Sequence, residues 1–403
     1  MADATGKIEK LLTKIQTVPS LPAAVEKLCR MVNDPKAGVN EMSRVISADP
    51  ALTARLLRVA NSAFYGLTGK VGTISHAIMV LGAQQVRNLA LGVTIFGGRF
   101  NPDQDPAIPR EDFWRHSLAT AIAVKSLAAA ARIKRPEEIF IHGLLHDVGK
   151  QVFLEYMADD YVLLMQEKEE TGRPLYEIEK ERFGMDHGEV GGELCRYWRV
   201  PDALTEVVLA HHRAEGGGDV SETVRLARLV RTADDLAKIA ALGLSGETGV
   251  ARDLPARLER DGISAKACRK AVFTLRQEVE NMASFFNLPP SSLPETAPPD
   301  AQGRPIAVLL ADAFDAEAVH LSLSAMGYET VSSARSGLLR QAPVAAVGDG
   351  LISRDDREDL WKENVPLLDF TDWRKANSNG PGAPMPAYRL RRWLKETLTR
   401  VLT

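Results

Sequence analysis

Cysteine is scarce in this chain. Cys29, Cys195 and Cys268 are the only three among 403 residues. They are odd in number and far apart, which argues against a disulfide framework and fits a reducing compartment. Long hydrophobic runs are also missing, and none approaches the ~18–20 residues that a membrane helix needs. Charge of one sign is not in excess either. A formal net charge of -3 gives no general attraction to nucleic acid or to an anionic membrane surface. The charge runs are short and mixed, as on solvated helix faces. There is no basic stripe and no nucleic-acid reading motif. The opening residues Met1-Ala-Asp-Ala-Thr-Gly-Lys7 do not form a charged-then-apolar leader. The expectation is a cytoplasmic protein with no membrane insertion and no nucleic-acid partner.

What is present is 45% hydrophobic residues, enough for well-formed cores, in a chain long enough for two or three domains. Prolines 289, 290, 294, 298, 299 and 305 crowd one stretch that cannot continue a helix. We therefore expect an all-α domain over 1–287, a Pro-rich linker over 288–304 and a small α/β domain over 305–403. In the first part, Val25, Leu28, Cys29 and Val32 follow helical spacing. Asp49-Pro50 reads as an N-cap with proline at the first helical position, and Asn61 as a left-handed stop. Residues 117–132 are rich in alanine, the mark of a buried helix. Pro136-Glu137-Glu138 reads as the start of a helix that carries His142, His146 and Asp147 and frays near Gly149. Asp186, Ser221 and Ser264 read as caps, and Pro201 as the start of a helix ending at His211-His212. After the linker, Ile306–Leu310, Val344–Val347 and Val365–Phe370 are short apolar runs separated by helical stretches, the pattern of a parallel sheet.

The chemistry sits in a rare residue type. Five of the eight histidines, His116, His146, His187, His211 and His212, fall in one part of the chain with Asp147 and Asp234. Imidazole and carboxylate are the usual ligands of a divalent metal, here Fe, Mn, Mg or Zn. Helices of a bundle can bring such ligands together from different turns. His116, His146, Asp147 and Asp234 would suit one ion, and His187 with the His211-His212 pair a second. Two ions ~3.5–4 Å apart are a device for activating water against a phosphoester. Lys150, one turn beyond His146, is placed to meet a phosphate oxygen. His142 has the helical two-histidine spacing to His146, but Gly143 beside it also fits close packing, and His142 is left out of the site.

Several segments together resemble the HDOD domain, a relative of the HD metal-dependent phosphohydrolases. They include Val18-Pro-Ser-Leu-Pro22, Asp49-Pro-Ala-Leu52, Asn61-Ser-Ala-Phe-Tyr65, Ala77-Ile-Met-Val-Leu-Gly82 and Trp114-Arg-His-Ser117. Gly143-Leu-Leu-His-Asp-Val-Gly-Lys150, Asp186-His-Gly-Glu-Val-Gly191, Trp198-Arg-Val-Pro201, His211-His212 and Ala233-Asp-Asp235 complete the set. The resemblance covers roughly residues 15–240, with trailing helices over 221–287. It implies a compact all-α HD-like bundle in bacterial signal transduction, acting as a regulatory or scaffolding module. Such a module would bind signalling proteins or a small signalling ligand, and a homo-oligomer is compatible with it. No general enzymatic activity goes with that family. The retained His/Asp set keeps the alternative of a metal-dependent phosphohydrolase open. Relatives that cleave cyclic dinucleotides carry Gly-Tyr-Pro soon after the paired histidines. Here Arg-Ala-Glu-Gly-Gly-Gly-Asp follows instead, which weakens that substrate class.

Residues 305–403 more faintly resemble a degenerate response-regulator receiver. Asp312 would end its first strand, Asp349 would be the phosphate acceptor and Thr371 would follow the fourth strand. The first strand ends in one acid where a receiver has an adjacent pair, and Lys375 comes too early for the receiver lysine. That favours an interaction domain that is not phosphorylated.

Overall fold

The computed structural model describes residues 11–31, 38–62, 65, 71–96, 108–134, 139–213, 220–247, 249–250, 253–283, 286 and 288–289. Beyond these it describes 306–309, 319, 321–323, 330–331, 345–348, 367–369, 385–386, 390 and 394. The chain divides into two compact units. One comprises Met1–Asp234, Gly243–Gly246 and Gln277–Ser291; the other comprises Asp235–Leu242, Glu247–Arg276 and Ser292–Thr403.

The first unit is helical. Helices α1 (Ala23–Met31), α2 (Val39–Ser47), α3 (Pro50–Ala60), α4 (Ile74–Leu81) and α5 (Ala83–Phe96) pack on one another. Asp49 caps α3 as expected, its side chain accepting from the Leu52 N–H at 3.0 Å, with Pro50 at the first position. Asn61 does not take the left-handed conformation; its φ is -86°. Its amide instead donates to the Leu57 and Val71 carbonyls and accepts from the Val71 N–H. The helix end and the returning loop are thus closed by one side chain, with no need for a strained backbone. Phe64 lies outside the described residues, while Tyr65 accepts from Gln85.

The remaining helices frame the candidate site. They are α6 (Arg110–Ala130), α7 (Phe140–Leu145), α8 (Val148–Tyr156), α9 (Ala158–Thr171), α10 (Leu175–Phe183), α11 (His187–Tyr197) and α12 (Asp202–Ala210). α13 (Glu222–Ile239) follows, and its residue Asp234 closes the first unit. The alanine-rich α6 is buried over most of its length and packs against α7, as α11 does against both α8 and α12. Pro136, Glu137 and Glu138 lie outside the described residues. No single described helix is long and apolar enough to cross a membrane.

All three cysteines are buried. Burial pushes the Cys195 thiol up to about 12 and raises that of Cys29. Reactivity follows thiolate population and exposure. We expect negligible reaction with Ellman's reagent near pH ~8 in the folded protein. All three thiols should react in guanidinium, and a fast-reacting thiol in the native state would contradict the assignment.

In the second unit, α14 (Leu254–Arg260) carries Arg257, which is buried and paired with Asp235 and Asp253. Lys238 and Glu247 form another buried pair at 2.9 Å. Ser264 caps α15 (Ala265–Ala283) through the Ala267 N–H. Strand β1 (Gly249–Val250) is antiparallel to β6 (Met385–Pro386).

The expected receiver-like α/β domain is corrected here. Its region contributes fragments of two to four residues: β2 (Ile306–Leu309), β3 (Thr330–Val331), β4 (Ala345–Gly348) and β5 (Leu367–Asp369). They pair in parallel in the order β3-β2-β4-β5. A receiver-like domain buries its parallel sheet under helices on both faces. Among the described residues after α15, helix is assigned only at 319, 321–323, 390 and 394, too little to make the layers of a receiver-like domain, and the fold that is shown is the all-α one. Short apolar runs between turn residues predict local extension, but alternation with helical stretches does not by itself establish how the layers pack. Asp312, Asp349, Thr371 and Lys375 lie outside the described residues.

Candidate metal centre

The site is built where helices approach with almost no side chain between them. A Cβ on Gly143 would lie 2.7 Å from Ala121 Cα and 2.8 Å from the Thr120 carbonyl carbon. α7 therefore lies directly on the backbone of α6, which carries His116. A Cβ on Gly149 would lie 2.0 Å from the His187 carbonyl oxygen and 2.6 Å from the Gly191 nitrogen. α8 is thereby held against the start of α11. His146 and Asp147 form the turn between α7 and α8, with Asp147 at φ -98° and ψ 7°. Gly149 is not a fraying end, as its position suggests in sequence, but the contact point of a new helix. Asp186 caps α11 in a reciprocal capping box with Glu189, and this fixes the first residue of that helix, His187.

All seven predicted donors converge. Asp147 stands between two groups. Its Oδ2 is 3.3 Å from His146 Nε2 and 3.9 Å from His116 Nε2. Its Oδ1 is 3.1 Å from His187 Nε2 and 3.8 Å from His211 Nε2. Asp234 Oδ1 is 3.0 Å from His116 Nε2 and 3.7 Å from His146 Nε2. His187 Nε2 and His212 Nε2 face each other at 2.8 Å. One donor group is His116, His146 and Asp147, with Asp234 beside it. The other is Asp147, His187, His211 and His212. Lys150 is buried too, its Nζ donating to Asp147 Oδ2 at 2.8 Å. His142 belongs to neither group; its Nδ1 lies 3.3 Å from the Ile139 carbonyl.

These residues fit a divalent ion. His146 Nδ1 lies 2.7 Å from the Gly143 carbonyl and His211 Nδ1 2.7 Å from the Val208 carbonyl. Those contacts place a proton on Nδ1, so that in the neutral ring Nε2 is the lone-pair donor facing inward. The Nε2 atoms of His116, His146 and His211, and Asp147 Oδ1, are buried without a well-formed hydrogen bond, although carboxylates are close. Each such atom costs roughly 1–3 kcal/mol if nothing satisfies it. Short separations without hydrogen-bond alignment are what donors aimed at a common point produce.

The electrostatics are strongly coupled. Burial would lower His146, but Asp147 and Asp234 raise it to about 9. Burial would likewise lower His187, and Glu179 leads the groups that raise it to about 9. Burial would raise the Asp147 carboxyl, yet His146 and Lys150 hold it well below the usual range. Burial dominates at His116, His211 and His212 and lowers all three.

Sequence reasoning missed Glu179. This fully buried carboxylate accepts from the His187 backbone N–H at 2.8 Å and lies 2.6 Å from His187 Nδ1. The Tyr161 hydroxyl donates to its other oxygen at 2.7 Å. A signal was there: Leu175, Ile178, Glu179 and Phe183 form the buried stripe of α10, so an acid occupies an apolar position. Tyr176 was also missed; its ring stacks on His212 with centroids 4.5 Å apart.

Residues 18–214 match the family model of the HDOD domain. Residues 18–214 are an HDOD domain. A curated relative, an uncharacterized protein of Treponema pallidum (strain Nichols), is 26% identical over 200 residues, or 49% of this chain. The matched segment spans only 38% of that relative's length. Among solved structures, an HDOD domain protein of unknown function from Geobacter sulfurreducens is similar at 24% identity and a TM-score of 0.54. It covers 70% of this chain and 99% of its own, and shares the fold. A candidate phosphohydrolase from Shewanella amazonensis SB2B is 26% identical with a TM-score of 0.53, covering 68% of this chain and 97% of its own. The HDOD match ends before Asp234, so one carboxylate of the centre comes from beyond the matched span.

Proposed function

We propose that the HDOD domain is a signalling module built on a two-ion centre bridged by Asp147. The carrying observation is that one carboxylate offers an oxygen to each of two histidine groups. His116, His146, Asp147 and Asp234 would hold one ion; all four are buried, so this ion would tie helices together. Asp147, His187, His211 and His212 would hold the second, and His212 is the one donor of the set that is not fully buried. A small anionic signalling ligand would reach the centre there, or a protein partner would sense the state of the bundle. Bound only to the folded form, the ions add stability by mass action.

A metal-dependent phosphohydrolase is the second reading, favoured by the bridging carboxylate and by the similarity to the Shewanella protein. Bound divalent ions would supply Lewis acidity and a water of lowered pKa. In this chain Lys150 orients Asp147 through its 2.8 Å contact. Meeting a phosphate oxygen would require its ammonium to leave that carboxylate.

The test is metal analysis of the purified protein after loading with Mn²⁺, with nitrophenyl phosphate esters and cyclic dinucleotides as substrates. We expect about two ions per chain and a large loss of binding in His146→Ala and His212→Ala. Loaded protein without turnover supports the signalling module. Turnover that disappears in His146→Ala transfers the case to the hydrolase. Absence of any bound ion would sink both readings.

A further inference from the structure

The buried histidines of the centre are not backed alike. His146 and His211 rest their Nδ1 atoms on neutral backbone carbonyls, those of Gly143 and Val208. His187 rests its Nδ1 on a carboxylate, Glu179 Oε2, at 2.6 Å. The same oxygen accepts the His187 backbone N–H at 2.8 Å, so ring and main chain are fixed together. Oε1 is occupied by the Tyr161 hydroxyl, itself fully buried between Phe153 and α10. Among the described residues, the only cationic partner within ion-pair distance of Glu179 is His187. A sealed carboxylate is costly to bury unless it is paired and hydrogen-bonded. Here every partner of that carboxylate serves to orient one imidazole.

We infer that Glu179 is a positioning residue that makes the two donor groups unequal, so that the His187, His211 and His212 group fills first. This rests on the two-ion reading above. A histidine whose outer nitrogen donates to a carboxylate is a more basic ligand, and its ring is held in one tautomer. The group containing His187 has this backing, whereas His146 in the other group has only a carbonyl. Asp147 would belong to both groups, one oxygen facing each. Glu179 touches no ion in this scheme; it acts through His187.

The experiment is a titration of the metal-free full chain with Mn²⁺ alone, followed by calorimetry and by the paramagnetic signal of free Mn²⁺. The parent protein is expected to bind in two phases. Glu179→Gln keeps an oxygen for the His187 N–H but removes the charge. It should weaken the tighter phase by about 10–100-fold and leave the weaker phase in place. Tyr161→Phe removes a hydroxyl from the same carboxylate but keeps the charge, and should shift the tighter phase far less. Equal weakening of both phases by Glu179→Gln, no weakening, or an equal effect of Tyr161→Phe would overturn the inference and leave the two-ion centre standing. A parent protein that binds no Mn²⁺ would instead remove the two-ion reading, and this inference with it. Should Glu179→Gln fail to fold, Glu179→Asp keeps the charge but withdraws it from Nδ1. A selective loss in the tighter phase is then expected, and an unchanged tighter phase overturns the proposal.

Discussion

Gly149→Ala is expected to destabilise the HDOD domain by about 3 kcal/mol or more. For a helical body of this size that corresponds to a fall of roughly 6–12 °C in Tm. The added methyl would sit 2.0 Å from the His187 carbonyl oxygen and 2.6 Å from the Gly191 nitrogen. Both are backbone atoms of α11, so no side chain can rotate away. Either α8 and α11 separate, or the variant does not fold. Separation would also pull Asp147 away from His187, now 3.1 Å apart, so Mn²⁺ binding should fall with stability. Gly72→Ala is the control, because nothing lies within 4 Å of a Cβ at Gly72. It should change stability by no more than about 0.5 kcal/mol. Thermal unfolding of the two variants checks this. A Gly149→Ala protein as stable as the parent would refute the close approach of α8 and α11.

The second large effect concerns Asp147 and Lys150, measured in the presence of chelator so that no ion contributes. Lys150 is 1% exposed and its ammonium faces Asp147 Oδ2 at 2.8 Å. Asp147→Ala removes that carboxylate and leaves a buried cation behind. Breaking a buried pair from one side typically costs about 3–5 kcal/mol. Removing both charges avoids most of that cost, so Asp147→Ala combined with Lys150→Met should recover a large part of it. Metal binding should not recover, since the carboxylate proposed to serve both donor groups is absent from both variants. Denaturant midpoints of the two single variants and the double variant form the cycle. An Asp147→Ala protein that unfolds at the parent midpoint, or a double variant no better than Asp147→Ala, would contradict the pairing.

Much of the centre was legible because its residues are chemically rare and their neighbours punctuate helices. The histidines and the two aspartates stand out from a helical background, and Asp186 announces the helix that begins at His187. The division into His116, His146, Asp147 and Asp234 on one side and His187, His211 and His212 on the other is legible in the sequence; that Asp147 faces both groups is not, because it depends on which oxygen faces which helix. Gly149 was misread because glycine near a helix end has two uses. In sequence a chain terminator and a site of backbone contact look the same; only the carbonyl of His187 distinguishes them. Glu179 was hidden in Leu175–Phe183, whose mixed charges look like a solvated face. The strand-like runs after residue 305 are local extension, and among the described residues the helical stretches expected between them are seen only at 319, 321–323, 390 and 394.

The Asp234 carboxylate lies 3.0 Å from His116 Nε2, yet it stands on α13, past the last residue of the HDOD match. A fragment trimmed to 18–214 would keep every imidazole of the centre and only one of the two carboxylates proposed to hold an ion. With the same dications bound, its interior would carry one more unit of uncompensated positive charge. Excision at the family boundary therefore changes the charge of the donor set while leaving the histidine count intact.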